Sequence, residues 1–212
     1  MRAALIYYPM KRRALILAPL AGVLLSLAAP LAAAPISLDR LSAYMNAMQT
    51  VKGDFTQINA DGSIDTGTIY IRRPGRARFE YNAPSNALVM ASGGQVAIFD
   101  PVSPGSADIY PLSRTPLSLI LARKVDLNKA KMVVDHRQVD NTTVVTAQDP
   151  EHPEYGTIQL VYTDSPVQLR QWVITDDAGN QTTTILGDTQ TSISLGLPLF
   201  DIADERKKRG AR

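Results

Sequence analysis

The chain has 212 residues, a length that suits one domain or at most a large and a small one. It contains no cysteine, which excludes a disulfide framework, a thiol nucleophile, a cysteine-bound metal and an acylated lipoprotein cysteine. The first 34 residues hold four basic residues and no acidic one, which leaves 18 basic and 20 acidic residues after them, too even a balance for the basic face of a nucleic-acid binder.

The N-terminal segment has the pattern of a secretory signal peptide. A basic triplet at residues 11–13 precedes an uncharged apolar run over residues 14–29, and small residues follow. The run is shorter than the roughly 20 apolar residues that a membrane-spanning helix needs. We therefore predict a signal peptide over residues 1–34. Its predicted boundaries are cleavage near Ala33 or Ala34, Met10 as an alternative start, and an exported single domain of residues 35–212.

Two short segments have the apolar spacing of helices. In the first, Ser37 is a candidate N-cap before a helical stripe of apolar residues. In the second, Thr115 and Pro116 place a capping hydroxyl and then a proline before an apolar cluster. The stripe consists of Leu38, Leu41, Tyr44, Met45 and Met48, and the cluster of Leu117, Leu119, Ile120, Leu121 and Ala122.

The rest of the domain has the pattern of about ten short strands separated by turn residues. Few helical segments lie between them, so we expect antiparallel pairing through hairpins in one large, strongly curved sheet or a barrel. The predicted strands cover residues 55–58, 67–73, 77–81, 87–91, 95–99, 132–136, 142–147, 157–163, 169–175, 182–186 and 191–195.

Several of these strands are apolar on both faces. Ile69 and Ile71 alternate with Tyr70, and the strand at residues 95–99 is apolar throughout its interior. One interpretation is a sandwich, or a sheet whose second face is covered by the two helices. The other is a curved sheet that lines a cavity, with the helices as its lid.

The sequence contains little that indicates catalysis. His136 and His152 have no ligand-type residue at metal spacing, and Asp176 and Asp177 lie in a turn where aspartate is favoured for its own backbone hydrogen bonds. Motifs for a nucleophile elbow, a phosphate loop or a dinucleotide site are absent. We therefore expect no enzyme activity, no metal and no cofactor.

The densest charged cluster consists of Arg72, Arg73, Arg76 and Arg78, on either side of a Pro-Gly turn. These side chains either form the solvated edges of two strands, or one of them donates its hydrogen bonds to backbone carbonyls or a lipid headgroup. Three other segments are interpreted as irregular. They are a loop over residues 101–114, a linker over 125–130 and a solvated basic tail from about residue 204.

The order of several motifs resembles the LolA-like family of periplasmic outer-membrane lipoprotein carriers. The resemblance covers roughly residues 36–200 and is strongest over 51–122. The segments that carry it are 51–57 (VKGDFTQ), 67–81 (GTIYIRRPGRARFEY), 91–94 (ASGG), 99–101 (FDP) and 115–122 (TPLSLILA).

The resemblance implies an unclosed antiparallel β-barrel of ten or eleven strands, with a helical lid over an apolar cavity. It implies a monomeric periplasmic chaperone that takes triacylated lipoproteins from an inner-membrane ABC exporter and hands them to an outer-membrane receptor. It also implies that Arg73, the arginine before the proline, closes the lid by donating to helix-loop carbonyls.

With this fold, we expect a cavity lined by strand residues and closed by residues of the two helices. The predicted lining is Phe55, Ile69, Ile71, Phe79, Leu88, Met90 and Ile98, and the predicted lid residues are Leu41, Met45, Leu117, Ile120 and Leu121. The same half-barrel would also suit a periplasmic domain that senses lipids or lipoproteins, and an enzyme is the more distant alternative.

Overall fold

The computed structural model describes residues 34–102, 106–129 and 131–210. The predicted signal peptide, apart from Ala34, lies outside these residues. Among the described residues, no helix combines the length and the apolar character needed to cross a bilayer.

Both predicted helices are present. Helix α1 spans Leu38–Ala47, and the Ser37 hydroxyl accepts a hydrogen bond from the Arg40 N–H at 3.4 Å, as its predicted capping role requires. Helix α2 spans Leu117–Leu121, but Thr115 is not its cap. Thr115 instead donates its hydroxyl to the Leu112 carbonyl at 2.8 Å, which closes the turn before the helix.

Eleven strands form one antiparallel sheet in the order β6-β5-β4-β3-β2-β1-β11-β10-β9-β8-β7. The sheet is curved and unclosed, as predicted, with β6 and β7 at its two edges. The strands are β1 Thr50–Ile58, β2 Ile64–Arg72, β3 Arg76–Tyr81, β4 Leu88–Ser92, β5 Gln95–Phe99, β6 Asp108–Pro111, β7 Val133–Val139, β8 Thr142–Gln148, β9 Thr157–Thr163, β10 Gln168–Thr175 and β11 Gln181–Thr191.

The first and last strands of the chain lie side by side in the middle of the sheet. Strand β1 pairs with β11, and from this pair two hairpin series run outward to the two edges. The chain segment between β6 and β7, which includes α2, therefore links strands at opposite edges of the sheet.

Several predictions about local structure were wrong. The predicted loop at 101–114 contains β6 and a 3-10 turn at Leu112–Arg114. The predicted strand at 191–195 is absent, and β11 instead continues to Thr191 because it pairs with the whole of β1. Gly187 and Asp188, which resemble a turn in the sequence, form a bulge at which β11 has one residue more than β1.

A further error concerns the basic tail predicted from about residue 204, which belongs to helix α3 at Ile202–Gly210. A 3-10 turn at Leu197–Phe200 precedes this helix. The Asp201 carboxylate accepts from the Asp204 N–H at 2.9 Å, and acidic residues lie in the first turn with basic residues in the last. Capping and the favourable orientation toward the helix dipole thus stabilise a helix that has no apolar stripe.

Candidate functional site

The inner face of the sheet is the face that α1 and α2 cover. Because side chains alternate along a strand, each strand contributes every second residue to this face. The structure brings nine of the predicted lining and lid residues together in one buried apolar cluster: Phe55, Ile69, Ile71, Phe79, Leu41, Met45, Leu117, Ile120 and Leu121.

Leu88 and Met90 lie elsewhere, and their predicted position is corrected by one residue. They belong to a separate buried cluster with Ala97 and Phe99 on the outer face, whereas Val89 packs against the inner cluster. Strand β4 is apolar at every position from 88 to 91, so its sequence carries no signal for which face is inward. Ile98 lies opposite Val89 but is 37% exposed, close to the β6 edge.

Aromatic side chains form the centre of the inner face. The Phe55 ring meets Phe79 and Tyr81 edge-on at centroid distances of 5.7 and 5.1 Å, and Phe79 meets Trp172 at 6.4 Å. Trp172 is 1% exposed and was missing from the predicted lining. Trp172 and Val173 are both apolar and lie on opposite faces of their strand. The sequence pattern therefore did not show which of the two points inward.

Arg73 lies at the end of β2 and joins the two helices. Its guanidinium Nη1 donates to the Met45 carbonyl in the last turn of α1, while Nε and Nη2 donate to the Ala122 carbonyl after α2 at 3.0 and 2.5 Å. The carbonyls at a helix C-terminus lack partners within the helix and carry partial negative charge, so a cation is favourable there.

Arg73 is 5% exposed, and all the hydrogen bonds that its side chain makes in the described structure go to main-chain carbonyls. Burial lowers the pKa of the guanidinium from its ordinary value. A buried charge is favourable only when it is well hydrogen-bonded, so this arrangement depends on both helices being in place.

A second contact holds α1 to the segment that follows α2. The Asn46 side chain pairs with the backbone of Val125 in both directions: its Oδ1 accepts from the Val125 N–H at 2.9 Å and its Nδ2 donates to the Val125 carbonyl at 2.8 Å. The Ser42 hydroxyl accepts from the Leu127 N–H at 3.0 Å. We call α1, α2 and residues 122–127 the lid.

Between the lid and the inner face lies a cavity of about 30 Å³. Its walls come from the lid, including Met45 and Ile120, and from strand residues such as Ala147 and Leu160. Sites for small molecules usually measure about 300–1,000 Å³, so this space is too small for such a ligand while α1 and α2 pack on the sheet.

The other arginines of the cluster act on the outer face. Arg72 donates to the Leu195 carbonyl, and Arg78 contacts the Leu199 carbonyl and the Glu205 carboxylate at 3.4 and 3.3 Å. These contacts hold the C-terminal segment, residues 195–210, over the Leu88 cluster. Arg76 donates only locally, to the Pro74 carbonyl at 3.3 Å.

Each histidine contacts a neighbouring group of the fold. His136 Nε2 is 2.9 Å from the Ile36 carbonyl, and the His152 ring stacks on Tyr155 at 4.7 Å. Within the described residues, no group of three or more histidine or acidic side chains is placed to hold a metal ion.

Comparison with known proteins connects this geometry to a family. The sequence profile described as "Outer membrane lipoprotein carrier protein LolA" matches residues 46–203. Outer-membrane lipoprotein carrier proteins from Pseudomonas paraeruginosa and Chromohalobacter salexigens are 26% and 25% identical, over 77% and 76% of this chain and 82% and 80% of their own lengths. A protein of the same description from Methylococcus capsulatus is 33% identical over 66 residues, which is 29% of this chain and 32% of that protein.

The fold is also shared with a solved structure. An outer membrane lipoprotein-sorting protein domain from Vibrio parahaemolyticus superposes with a TM-score of 0.50 at 7% identity, over 80% of this chain and 97% of that one. The profile match spans most of the described domain, including all eleven strands, the arginine cluster, α2 and residues 122–127. The chain therefore belongs to the LolA family of outer membrane lipoprotein carrier proteins.

Proposed function

We propose that this protein is a periplasmic chaperone that binds the acyl chains of lipoproteins between its lid and the inner face of its sheet. It receives triacylated lipoproteins from an inner-membrane ABC exporter and delivers them to an outer-membrane receptor, acting as a monomer by binding and without catalysis. Membership of the family supports the carrier role, and the observation that carries the mechanism is the buried Arg73 bridging both lid helices.

Acyl chains need such a compartment because the transfer of each methylene group out of water is favourable by about 0.8 kcal/mol. The cavity of about 30 Å³ is too small for them, so the lid must move away from the sheet before cargo enters. Opening breaks the Arg73 hydrogen bonds, and closing restores them. The closed state thus competes with cargo, which favours release to the receptor.

The size of this competition follows from the kind of hydrogen bond that Arg73 makes. A hydrogen bond from a charged donor contributes about 1.5–3 kcal/mol, and about 1.4 kcal/mol changes an equilibrium tenfold. If one such hydrogen bond is counted, removing the Arg73 guanidinium raises the ratio of open to closed lid by roughly tenfold or more. Cargo is then retained.

We expect Arg73→Leu to bind cargo at least as well as the wild type does and to transfer it poorly. Mature protein is added to spheroplasts, and the supernatant is separated by gel filtration and probed for an outer-membrane lipoprotein. The complex is then mixed with outer-membrane vesicles, and the lipoprotein that sediments with them is measured. Arg76→Leu is the matched control, because Arg76 donates only to the nearby Pro74 carbonyl.

Normal transfer by Arg73→Leu would remove Arg73 from the mechanism. If the wild type released no lipoprotein but still bound an apolar dye, the carrier proposal would fail. A lipid-sensing domain on the same half-barrel would then be the better hypothesis.

A further inference from the structure

The Tyr162 hydroxyl is a hydrogen-bonding group without a partner in the described structure. Tyr162 is 0% exposed, and its Oη makes no hydrogen bond to any described residue. It lies in β9, on the inner face, within the same apolar cluster as the lid residues. A buried hydroxyl that gives up water and gains no partner destabilises the state in which it is buried.

The hydroxyl of the neighbouring Tyr44, in contrast, has a hydrogen-bond partner. Tyr44, on α1, meets the Tyr162 ring edge-on at a centroid distance of 6.0 Å. The Tyr44 hydroxyl accepts a hydrogen bond from the Leu169 N–H at 3.1 Å, and Leu169 is the residue paired with Tyr162 across the β9–β10 ladder. The lid helix therefore covers Tyr162 with a ring and leaves its hydroxyl unpaired.

The chemistry of Tyr162 restricts what can pair with it. Burial raises the pKa of the hydroxyl, which therefore stays a neutral O–H donor at any physiological pH. An apolar surrounding disfavours a charged partner and strengthens a hydrogen bond to a neutral acceptor. A carbonyl oxygen joined to an acyl chain is such an acceptor, and it would enter this layer together with the chain.

We propose that Tyr162 is the polar anchor of the acyl-binding site, donating its O–H to an ester or amide carbonyl at the head of a bound acyl chain. This assignment rests on the proposed carrier function. In the closed state the hydroxyl has no partner among the described residues, and the cargo supplies one when α1 moves away. Tyr162 therefore favours the open, loaded state, whereas Arg73 favours the closed, empty one.

The test uses two variants and two lipids. Tyr162→Phe removes the unpaired hydroxyl, and Tyr44→Phe is the matched control that removes a paired one. The probes are a dipalmitoyl diglyceride, which has ester carbonyls, and the dihexadecyl diether, which has chains of equal length without carbonyls. Affinities of radiolabelled probes for the mature protein and thermal midpoints of the lipid-free protein are measured.

For Tyr162→Phe we expect a higher thermal midpoint in the lipid-free protein, since no hydrogen bond is lost. We expect its affinity for the diester to fall about fivefold, the effect of one neutral hydrogen bond, and its affinity for the diether to stay unchanged. Tyr44→Phe should lower the thermal midpoint, because the Leu169 N–H loses its acceptor.

Three results would overturn the assignment. A lower midpoint for Tyr162→Phe would show that the hydroxyl already has a partner in the lipid-free protein. Equal effects on the diester and the diether, or none on either, would show that no carbonyl is bound. If the wild type bound neither lipid, the proposed acyl-carrier function would itself be contradicted, and the anchor with it.

Discussion

Gly67 leaves room on the inner face for the Phe55 ring. A Cβ placed on Gly67 would lie 2.2 Å from the Glu80 carbonyl oxygen and 2.7 Å from the Phe55 ring. The carbonyl belongs to the neighbouring strand β3 and cannot rotate away as a side chain could. The position of Phe55, and through it the contacts to Phe79 and Tyr81, therefore depends on the absence of a side chain at this residue.

We expect Gly67→Ala to lower the free energy of unfolding by about 1–3 kcal/mol, the usual range for an overpacked core. Urea denaturation followed by circular dichroism measures it. Gly196→Ala is the control, because the nearest atom to its Cβ is at an ordinary 3.5 Å and its φ is −66°. An unfolding free energy for Gly67→Ala equal to that of the control would mean that strands β2 and β3 separate at little cost.

Residue positions could be predicted most directly where a strand has two chemically different faces. In β3 the apolar Ala77 and Phe79 alternate with charged neighbours, and both lie on the inner face. In β4 all side chains from Leu88 to Ala91 are apolar, and the predicted inward residues proved to be the outward ones. Arg73 was identified through the resemblance of the chain to the family, because the pattern of the arginine cluster alone does not distinguish one arginine from another.

At the scale of elements, the lid is held by polar contacts at its ends and apolar contacts beneath it. Asn46 makes two hydrogen bonds to Val125, which tie α1 to the segment after α2. The Asn128 side chain also links this segment to α1, by donating to Asp39 at 2.8 Å, but this contact is exposed to water.

We expect Asn46→Ala to open the lid more often, because a part-buried N–H and carbonyl of Val125 both lose a partner. Binding of an apolar fluorescent dye should increase severalfold, while Asn128→Ala should leave it close to the wild-type level. Dye binding that is unchanged in Asn46→Ala would show that the apolar contacts of α1 alone keep the lid closed.

The elements differ in how far the local sequence predicts them. Helix α1 was predictable from Ser37 and its stripe, because both signals lie within the helix. Helix α3 lacks a stripe, and its sequence signal is limited to two i,i+4 ion pairs, Asp204–Lys208 at 2.7 Å and Glu205–Arg209 at 2.9 Å. Strand β6 is four residues long and exposed throughout, so no hydrophobic alternation marks it.

For the whole molecule, the single tryptophan is a natural reporter of the proposed acyl-binding layer. Trp172 is buried on the inner face beside Phe79, and the chain has no other tryptophan. In the proposed function, acyl chains enter between the lid and the sheet, the layer in which Trp172 lies. A surface-bound lipid would leave it unaffected.

We expect a lipid brominated at the middle of its acyl chains to quench most of the Trp172 fluorescence, since heavy atoms quench on contact. The unbrominated lipid at the same concentration is the control. Quenching in titrations of the wild type would place the chains under the lid. Bound lipid with full fluorescence would place them elsewhere on the molecule.

The strand order was the least predictable feature of the whole molecule. Hairpins between consecutive strands follow from turn residues, and the mainly antiparallel sheet was predicted on that basis. The pairing of β1 with β11 joins residues more than a hundred positions apart, such as Val51 and Thr191, and no local signal specifies it. The unclosed barrel was therefore an implication of the family resemblance.

Because β6 and β7 are edges and not partners, the circumference of this half-barrel is not set by a closed ring of hydrogen bonds. Spreading the two edges apart changes the aperture and leaves the ladders within the sheet intact. The chain between these edges contains α2, so a wider aperture pulls directly on the lid. For the proposed carrier function, this means that one molecule would accept cargoes with acyl chains of different number and length without breaking its ladders.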